Sequence, residues 1–185
     1  MRTLPLIATA LTVLLTTGCV STSNNNAEPA AVNAAAVNPQ TLLTARLQPV
    51  SGLTTSVLAD GQLKLSFPGI TAFSHDGARL SDELQQQLVT VTESLKDISY
   101  QQLTVLGHTD SSGQLAYNKT LSQQRAEQVM AFMLQQGLPL ETLAAEGRGP
   151  AEPIADNRTA AGKAANRRVE LVIHFGPALT AALAD

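Results

Sequence analysis

The sequence predicts an α/β fold: a two-layer α/β sandwich with a βαβαβ core and helices on one face of a mixed sheet. Three observations point to it. Two long runs carry apolar residues at helical spacing, short apolar runs alternate with them, and 44% hydrophobic residues in a chain of 185 suffice for the core of one domain plus attachments.

In chain order, Gln62 to Phe67 alternates Leu63, Leu65 and Phe67 with Gln62, Lys64 and Ser66, the pattern of a half-buried strand after an Asp60-Gly61 turn. Pro68-Gly69 ends that strand. The run from Ser81 to Lys96 has Ser81 as N-cap, Asp82 and Glu83 in the first turn, and Leu84, Leu88, Val91 and Leu95 on one face, which predicts an amphipathic helix. Leu103 to Leu106 is a short apolar strand that runs into a polar loop from Gly107 to Gly113. A second helix follows, with Ser122 read as its N-cap, Ala126, Val129, Met130 and Met133 at helical spacing, and Gly137 as its stop. The methionines read as core filler. A short strand near Leu143 to Glu146 comes next, and the last strand sets Val169, Leu171, Ile173 and Phe175 on one face.

Composition removes several function classes. Twelve Lys and Arg against 15 Asp and Glu give a formal net charge of −3, and no basic run occurs, which argues against nucleic acid as a partner. Aromatics are 3% with no Trp, too few for stacking platforms. The single cysteine, Cys19, excludes an internal disulfide framework and a Cys-rich zinc site.

Residues 1–18 read as a signal peptide, with Arg2 as the only charge, an apolar run from Leu4 to Leu15 and small residues up to Gly18. About 12 apolar residues reach only about 18 Å as a helix, short of a hydrocarbon core of about 30 Å. Leu15-Thr16-Thr17-Gly18-Cys19 resembles a bacterial lipobox, with Thr16 where a lipobox usually has Leu, and this resemblance implies cleavage before Cys19 and its lipidation. A secreted chain with a stray cysteine is the other reading. Val20 and Ser21 after the cysteine imply outer-membrane sorting. Residues 19–40 are rich in Ser, Thr, Asn, Ala and Pro and read as a flexible tether. Residues 41–59 show no clean period and are expected as a pre-domain segment, 60–176 as the domain and 177–185 as a tail.

Within the domain, a set of residues in order and spacing carries a family resemblance. They are Leu106-Gly107-His108-Thr109-Asp110 with Gly113, then Tyr117-Asn118 with Leu121-Ser122-Gln123-Gln124-Arg125-Ala126 and Val129. Further on come Gly147-Arg148-Gly149 with Pro153-Ile154 and Asn157, then Gly162 and Asn166-Arg167-Arg168-Val169-Glu170. Over about residues 60 to 175 the chain resembles the OmpA-like C-terminal domain, the peptidoglycan-binding module also found in the peptidoglycan-associated lipoprotein.

The residues allow a physical reading beside the resemblance. Asp110 lies in the loop leaving a strand, and Arg125 in what reads as the first turn of a helix, so a carboxylate and a guanidinium can face each other. Such a pair binds a zwitterion, or else forms a plain salt bridge that closes the loop onto the helix. The resemblance implies the former, with Asp110 taking the ammonium and Arg125 the carboxylate of diaminopimelate in a peptidoglycan stem peptide. It further implies ligand-side roles for Thr109, Asn118, Leu121, His75, Asp76 and Arg168. Asn118 is expected to brace the loop, and Thr109 to cap it or to offer its amide to the ligand. Of Arg167 and Arg168 only one should face ligand, because strand neighbours point oppositely. Phe73-Ser74-His75-Asp76 stands where the family commonly has Phe-Asp-x-Asp. Ser74 replaces the first acid and His75 is unusual there, so the expectation is either weaker ligand binding or binding sensitive to pH near the unperturbed histidine pKa of about 6.5.

Two other classes, a hydrolase and a metal site, find little support in the residues. His108, Asp110, Ser111 and Ser112 crowd together as hydrolase residues do, yet no G-x-S-x-G pattern occurs, and His108 reads as a hydrogen-bonded histidine at a strand end. His75, His108 and His174 contain no close pair at metal-ligand spacing. The expectation is therefore a non-enzymatic outer-membrane lipoprotein, without cofactor or metal, whose periplasmic domain tethers the membrane to peptidoglycan. The alternative is a regulatory or assembly lipoprotein whose segment 41–59 engages a periplasmic protein while the wall serves as its anchor.

Overall fold

The structure, a computed structural model, describes residues 38–73 and 77–176. The signal peptide, Cys19, most of the tether, Ser74, His75, Asp76 and the tail lie outside the described residues.

The chain runs α1 (Pro39–Leu47), β1 (Thr54–Val57), β2 (Leu63–Pro68), α2 (Gly69–Ala72), α3 (Asp82–Leu95), β3 (Gln102–His108), α4 (Leu115–Gln135), β4 (Leu143–Gly149), α5 (Ala160–Asn166) and β5 (Arg168–His174). The five strands form one sheet in the order β1-β2-β5-β3-β4. β1, β2, β5 and β3 pair antiparallel in turn, and β3 pairs parallel with β4 through the α4 crossover. Leu63, Leu65 and Phe67 of β2, Leu103 and Val105 of β3, and Val169, Leu171 and Ile173 of β5 are buried against the helices. Leu84, Leu88, Val91 and Leu95 of α3 meet them with Ala126, Val129 and Met133 of α4. This is the mixed α/β sandwich that the periodicities predict. The Ser81 N-cap is present too, its Oγ accepting from Leu84 N–H at 3.0 Å.

The stretch without a clean period is structured. Asn38 caps α1 by accepting from Gln40 N–H at 2.9 Å, Pro39 opens the helix, and Leu43 and Leu47 are 0% and 2% exposed in the shared core. Arg46 ties α1 to the end of α3 by donating to the Ser94 carbonyl at 2.9 Å and to Asp97. β1 pairs Thr54 to Val57 with Ser66 to Leu63. A helix that contributes only two leucines to the core leaves little periodic signal, and a four-residue edge strand leaves less.

α4 differs from expectation in a way that matters for the site. It begins at Leu115, so Ser122 is not its N-cap but a fully buried residue in mid-helix. Its Oγ donates back to the Lys119 carbonyl and accepts from Gly149 N–H, both at 2.9 Å. What reads as a cap is a clamp between α4 and β4. Gln123 extends the clamp, accepting from Gly147 N–H at 2.7 Å and donating to the Ala145 carbonyl at 3.3 Å. The helix lies so close that a Cβ on Gly107 would stand 2.1 Å from the Ser122 carbonyl oxygen, and one on Gly147 2.4 Å from Gln123 N. Arg125 therefore projects from the third turn of a helix fixed to two strands.

Candidate functional site

The site lies where β3 ends. Asp110 follows β3, its side chain nearly buried, and its backbone and carboxylate organise the turn up to α4. Oδ1 accepts from Ser112 N–H at 2.8 Å. Asn118 Nδ2 donates to the Ser112 carbonyl at 2.8 Å and to the Asp110 carbonyl at 3.4 Å. Ser111 N–H donates to Asn157 Oδ1 at 3.2 Å, and Asn166 holds Asn157 in turn with a 2.9 Å bond. The asparagines thus hold the backbone of the turn from Asp110 to Ser112 from α4 and from the 157 loop, and Asn118 stands where bracing was expected. Thr109 is buried, and its amide is spent on the Gly149 carbonyl at 2.9 Å, so that N–H is not on offer to a ligand.

Arg125 is held from the other side. Its Nε donates to the Gly77 carbonyl at 3.1 Å, and its guanidinium carbon lies 4.7 Å from the centre of the Phe73 ring. These contacts use one edge and one face of the guanidinium. The two terminal nitrogens have no partner among the described residues, which is the fork a carboxylate takes bidentately. Burial pushes the Arg125 pKa down, the nearby Arg167 charge adds to this, and Asp110 and Tyr117 oppose it. The group stays protonated all the same. Leu121 sits half-buried one turn before Arg125 on the same helix.

Asp110 is paired, but not with Arg125. Arg167 Nη1 donates to Asp110 Oδ2 at 2.7 Å. Burial pushes the Asp110 carboxyl up, while the hydrogen bonds from Arg167 and Ser112 outweigh it and hold the group below the usual carboxylate range. The plain Asp110–Arg125 salt bridge is therefore not what closes this loop.

Arg168 is corrected by the structure. It is 3% exposed, and it donates to Glu170 Oε1 at 2.7 Å and to the Glu152 carbonyl at 3.1 Å, so it cannot face a ligand. Arg167, just before β5, takes the outward place. The signal was legible: Arg168 and Glu170 are two apart on a strand whose other face is Val169, Leu171 and Ile173, so they share a side and pair. His108 ends β3 as expected, buried, with Nε2 3.5 Å from Glu170 Oε2. His75 and Asp76 lie outside the described residues. Phe73 is marked in the sequence only as part of the Phe-Ser-His-Asp stretch and not as a partner of Arg125, and the Gly77 carbonyl carries no sequence signal, because a backbone acceptor leaves no pattern of spacing.

Chemically the site offers a carboxylate held by Ser112 N–H and Arg167, with the open guanidinium fork of Arg125 within its electrostatic reach. Such a set suits a ligand that carries both an ammonium and carboxylates.

Comparison with known proteins agrees with this architecture. A model of the OmpA family matches residues 72–167. The probable lipoprotein YiaD of Escherichia coli is 38% identical over 66% of this chain and 56% of its own length. The peptidoglycan-binding protein ArfA of Mycobacterium tuberculosis is 38% identical over 57% of this chain and 32% of its own. The cell wall anchor of the type VI secretion system (T6SS) from Pseudomonas aeruginosa superposes with a TM-score of 0.64 at 28% identity, over 75% of this chain and 98% of that one. The matches span 56–60% of the length of the first curated relatives.

Proposed function

The chain belongs to the OmpA family, and from that premise we propose that it binds peptidoglycan non-covalently and tethers the outer membrane to the cell wall. The ligand is the diaminopimelate of a stem peptide, whose side-chain end carries an ammonium and a carboxylate on one carbon. Asp110 takes the ammonium and Arg125 the carboxylate, and the family resemblance gives Leu121, His75 and Asp76 ligand-side roles as well. The observation that carries this reading is the Arg125 guanidinium, gripped at Nε and at one face so that its terminal fork is left open beside Asp110. Relatives named as a lipoprotein, a peptidoglycan-binding protein and a cell wall anchor support it.

Each charge-assisted hydrogen bond contributes roughly 1.5–3 kcal/mol net, so the pocket is built for modest affinity per copy. Lipid on Cys19 holds the other end. Confining the domain near the wall through the leading segment converts modest affinity into lasting attachment by effective concentration.

The test is co-sedimentation of the full chain, in detergent, with purified protein-free peptidoglycan, beside Asp110→Ala and Arg125→Ala variants checked for folding by circular dichroism. The parent should pellet with the wall, and each folded variant should lose most of that binding. A parent that stays in the supernatant, or variants that pellet like the parent, would refute the pocket.

A further inference from the structure

The Asp110–Arg167 pair is the one contact that the zwitterion reading leaves unexplained, since it covers the carboxylate that the ligand is to use. We propose that Arg167 is an internal stand-in for the ligand's ammonium, which the ligand displaces, and that it thereby sets which charges the site accepts. This rests on the peptidoglycan reading above and adds a specificity residue to it.

Arg167 is built as a fixed hinge with a free end. Its backbone is pinned on both sides, the N–H to the Lys163 carbonyl at 3.1 Å and the carbonyl to Gly69 N–H at 2.6 Å. Its side chain is 38% exposed and makes one polar contact among the described residues, Nη1 to Asp110 Oδ2 at 2.7 Å. Arg168 next to it is buried with three hydrogen bonds and has no such freedom. Ser112 N–H holds Asp110 Oδ1, so the ammonium of an incoming zwitterion meets Oδ2, which Arg167 occupies. Sharing that oxygen would crowd an ammonium against Arg167, with Arg125 already near.

Displacement resolves the crowding. The ammonium replaces Arg167 on Oδ2, a carboxylate takes the Arg125 fork, and the released Arg167 turns to solvent or to a further carboxylate. A ligand lacking the ammonium cannot make the exchange. It meets Asp110 already neutralised and finds two guanidinium groups, so it binds as a simple anion.

The two cases differ in the sign of one mutation. Binding is measured by calorimetry on the full chain in detergent, with two probes: the stem tripeptide ending in meso-diaminopimelate and acetylated at its N-terminus, which keeps only the side-chain amine free, and the same tripeptide acetylated on that side-chain amine as well. Arg167→Gln should bind the free-amine tripeptide about two- to fivefold more tightly than the parent, the range expected for releasing a partly exposed ion pair. It should bind the doubly acetylated tripeptide equally or more weakly. Arg167→Lys, which keeps a cation without the fork, should fall between parent and Gln variant on the free amine. Unchanged or weaker binding of the free-amine tripeptide by a folded Arg167→Gln, or tightening of both probes alike, overturns the proposal. Asp110→Asn and Arg125→Gln separate the two levels. If neither weakens the free-amine tripeptide, or if neither parent nor Arg167→Gln binds it, the pocket reading fails and the exchange fails with it. If both weaken it while Arg167→Gln does not tighten it, only the exchange fails.

Discussion

Three charged side chains on three elements define the site, and the neutral groups around them decide what each can do. Phe73 and the Gly77 carbonyl occupy one face and the Nε edge of Arg125, which leaves free the fork that the proposed ligand carboxylate would use. The ring contributes through its electron-rich face, roughly 0.5–2 kcal/mol depending on exposure. Phe73→Leu keeps an apolar side chain and removes that face. It should weaken stem-peptide binding about two- to fivefold, as measured by calorimetry, while the circular dichroism spectrum stays that of the parent. Unchanged affinity would mean that the Gly77 carbonyl alone orients the guanidinium.

At the scale of elements, the decisive contact is α4 against the ends of β3 and β4. Two glycines admit the helix, and Ser122 and Gln123 fasten it by bonds to Gly149 and Gly147. Gly107→Ala puts a methyl 2.1 Å from the Ser122 carbonyl oxygen, and the obstacle is backbone. Overpacking of this kind costs about 1–3 kcal/mol, to be read as a lower midpoint in denaturant melts, and wall binding should fall with it because Arg125 shifts. A midpoint equal to the parent's would show that the helix can lift without loss.

β5 carries the other charged element of the fold. Glu170 contacts Arg168 at 2.7 Å, Lys64 at 3.4 Å and His108 at 3.5 Å. Burial pushes its carboxyl up, but the contacts with His108 and Arg168 outweigh this and lower its pKa from 4.5 to about 2. A carboxyl with a depressed folded pKa stabilises the fold above its unfolded value. That stabilisation, up to about 3 kcal/mol, is lost as pH falls from near 4.5 towards 2. Denaturant melts should therefore lose midpoint steeply across this window. Glu170→Gln should start lower at pH 7, because Arg168 is left buried beside a neutral group, and should flatten the dependence. Parallel curves for parent and variant would remove Glu170 as the cause.

At the scale of the whole molecule, the described residues form one sheet with its helices, and the domain starts earlier than residue 60. Leu43 and Leu47 lie fully in the shared core. Burying each contributes about 1.5–3 kcal/mol, a large fraction of the 5–15 kcal/mol that holds an ordinary domain. A chain starting at Gly61 should accordingly melt far below one starting at Asn38, or fail to fold cooperatively. Thermal melts of the two within a few degrees of each other would show α1 and β1 to be dispensable. Among the described residues no helix is long and apolar enough to cross a membrane.

Much of this was legible in the chain because local rules act over short distances. Alternation in Leu63, Leu65 and Phe67, the Ser81 cap and the 3.6-residue spacing of Leu84 to Leu95 all report which face is buried, and burial is what makes strands and helices pair. Asp110, Arg125 and Asn118 are named because the family resemblance assigns roles to the motif positions that they occupy. Three features could be decided only by the tertiary structure, each for the same reason. Ser122 looks like a cap until β4 is set beside it, Asp110 has no visible partner until α5 delivers Arg167 across 57 positions, and the Arg125 fork is open only because Phe73 and Gly77 hold its other edge. Contacts between residues far apart in the chain leave no periodicity, so the sequence by itself determined the elements with a clean period and their core faces, while the fold decided α1, β1 and which charge meets which.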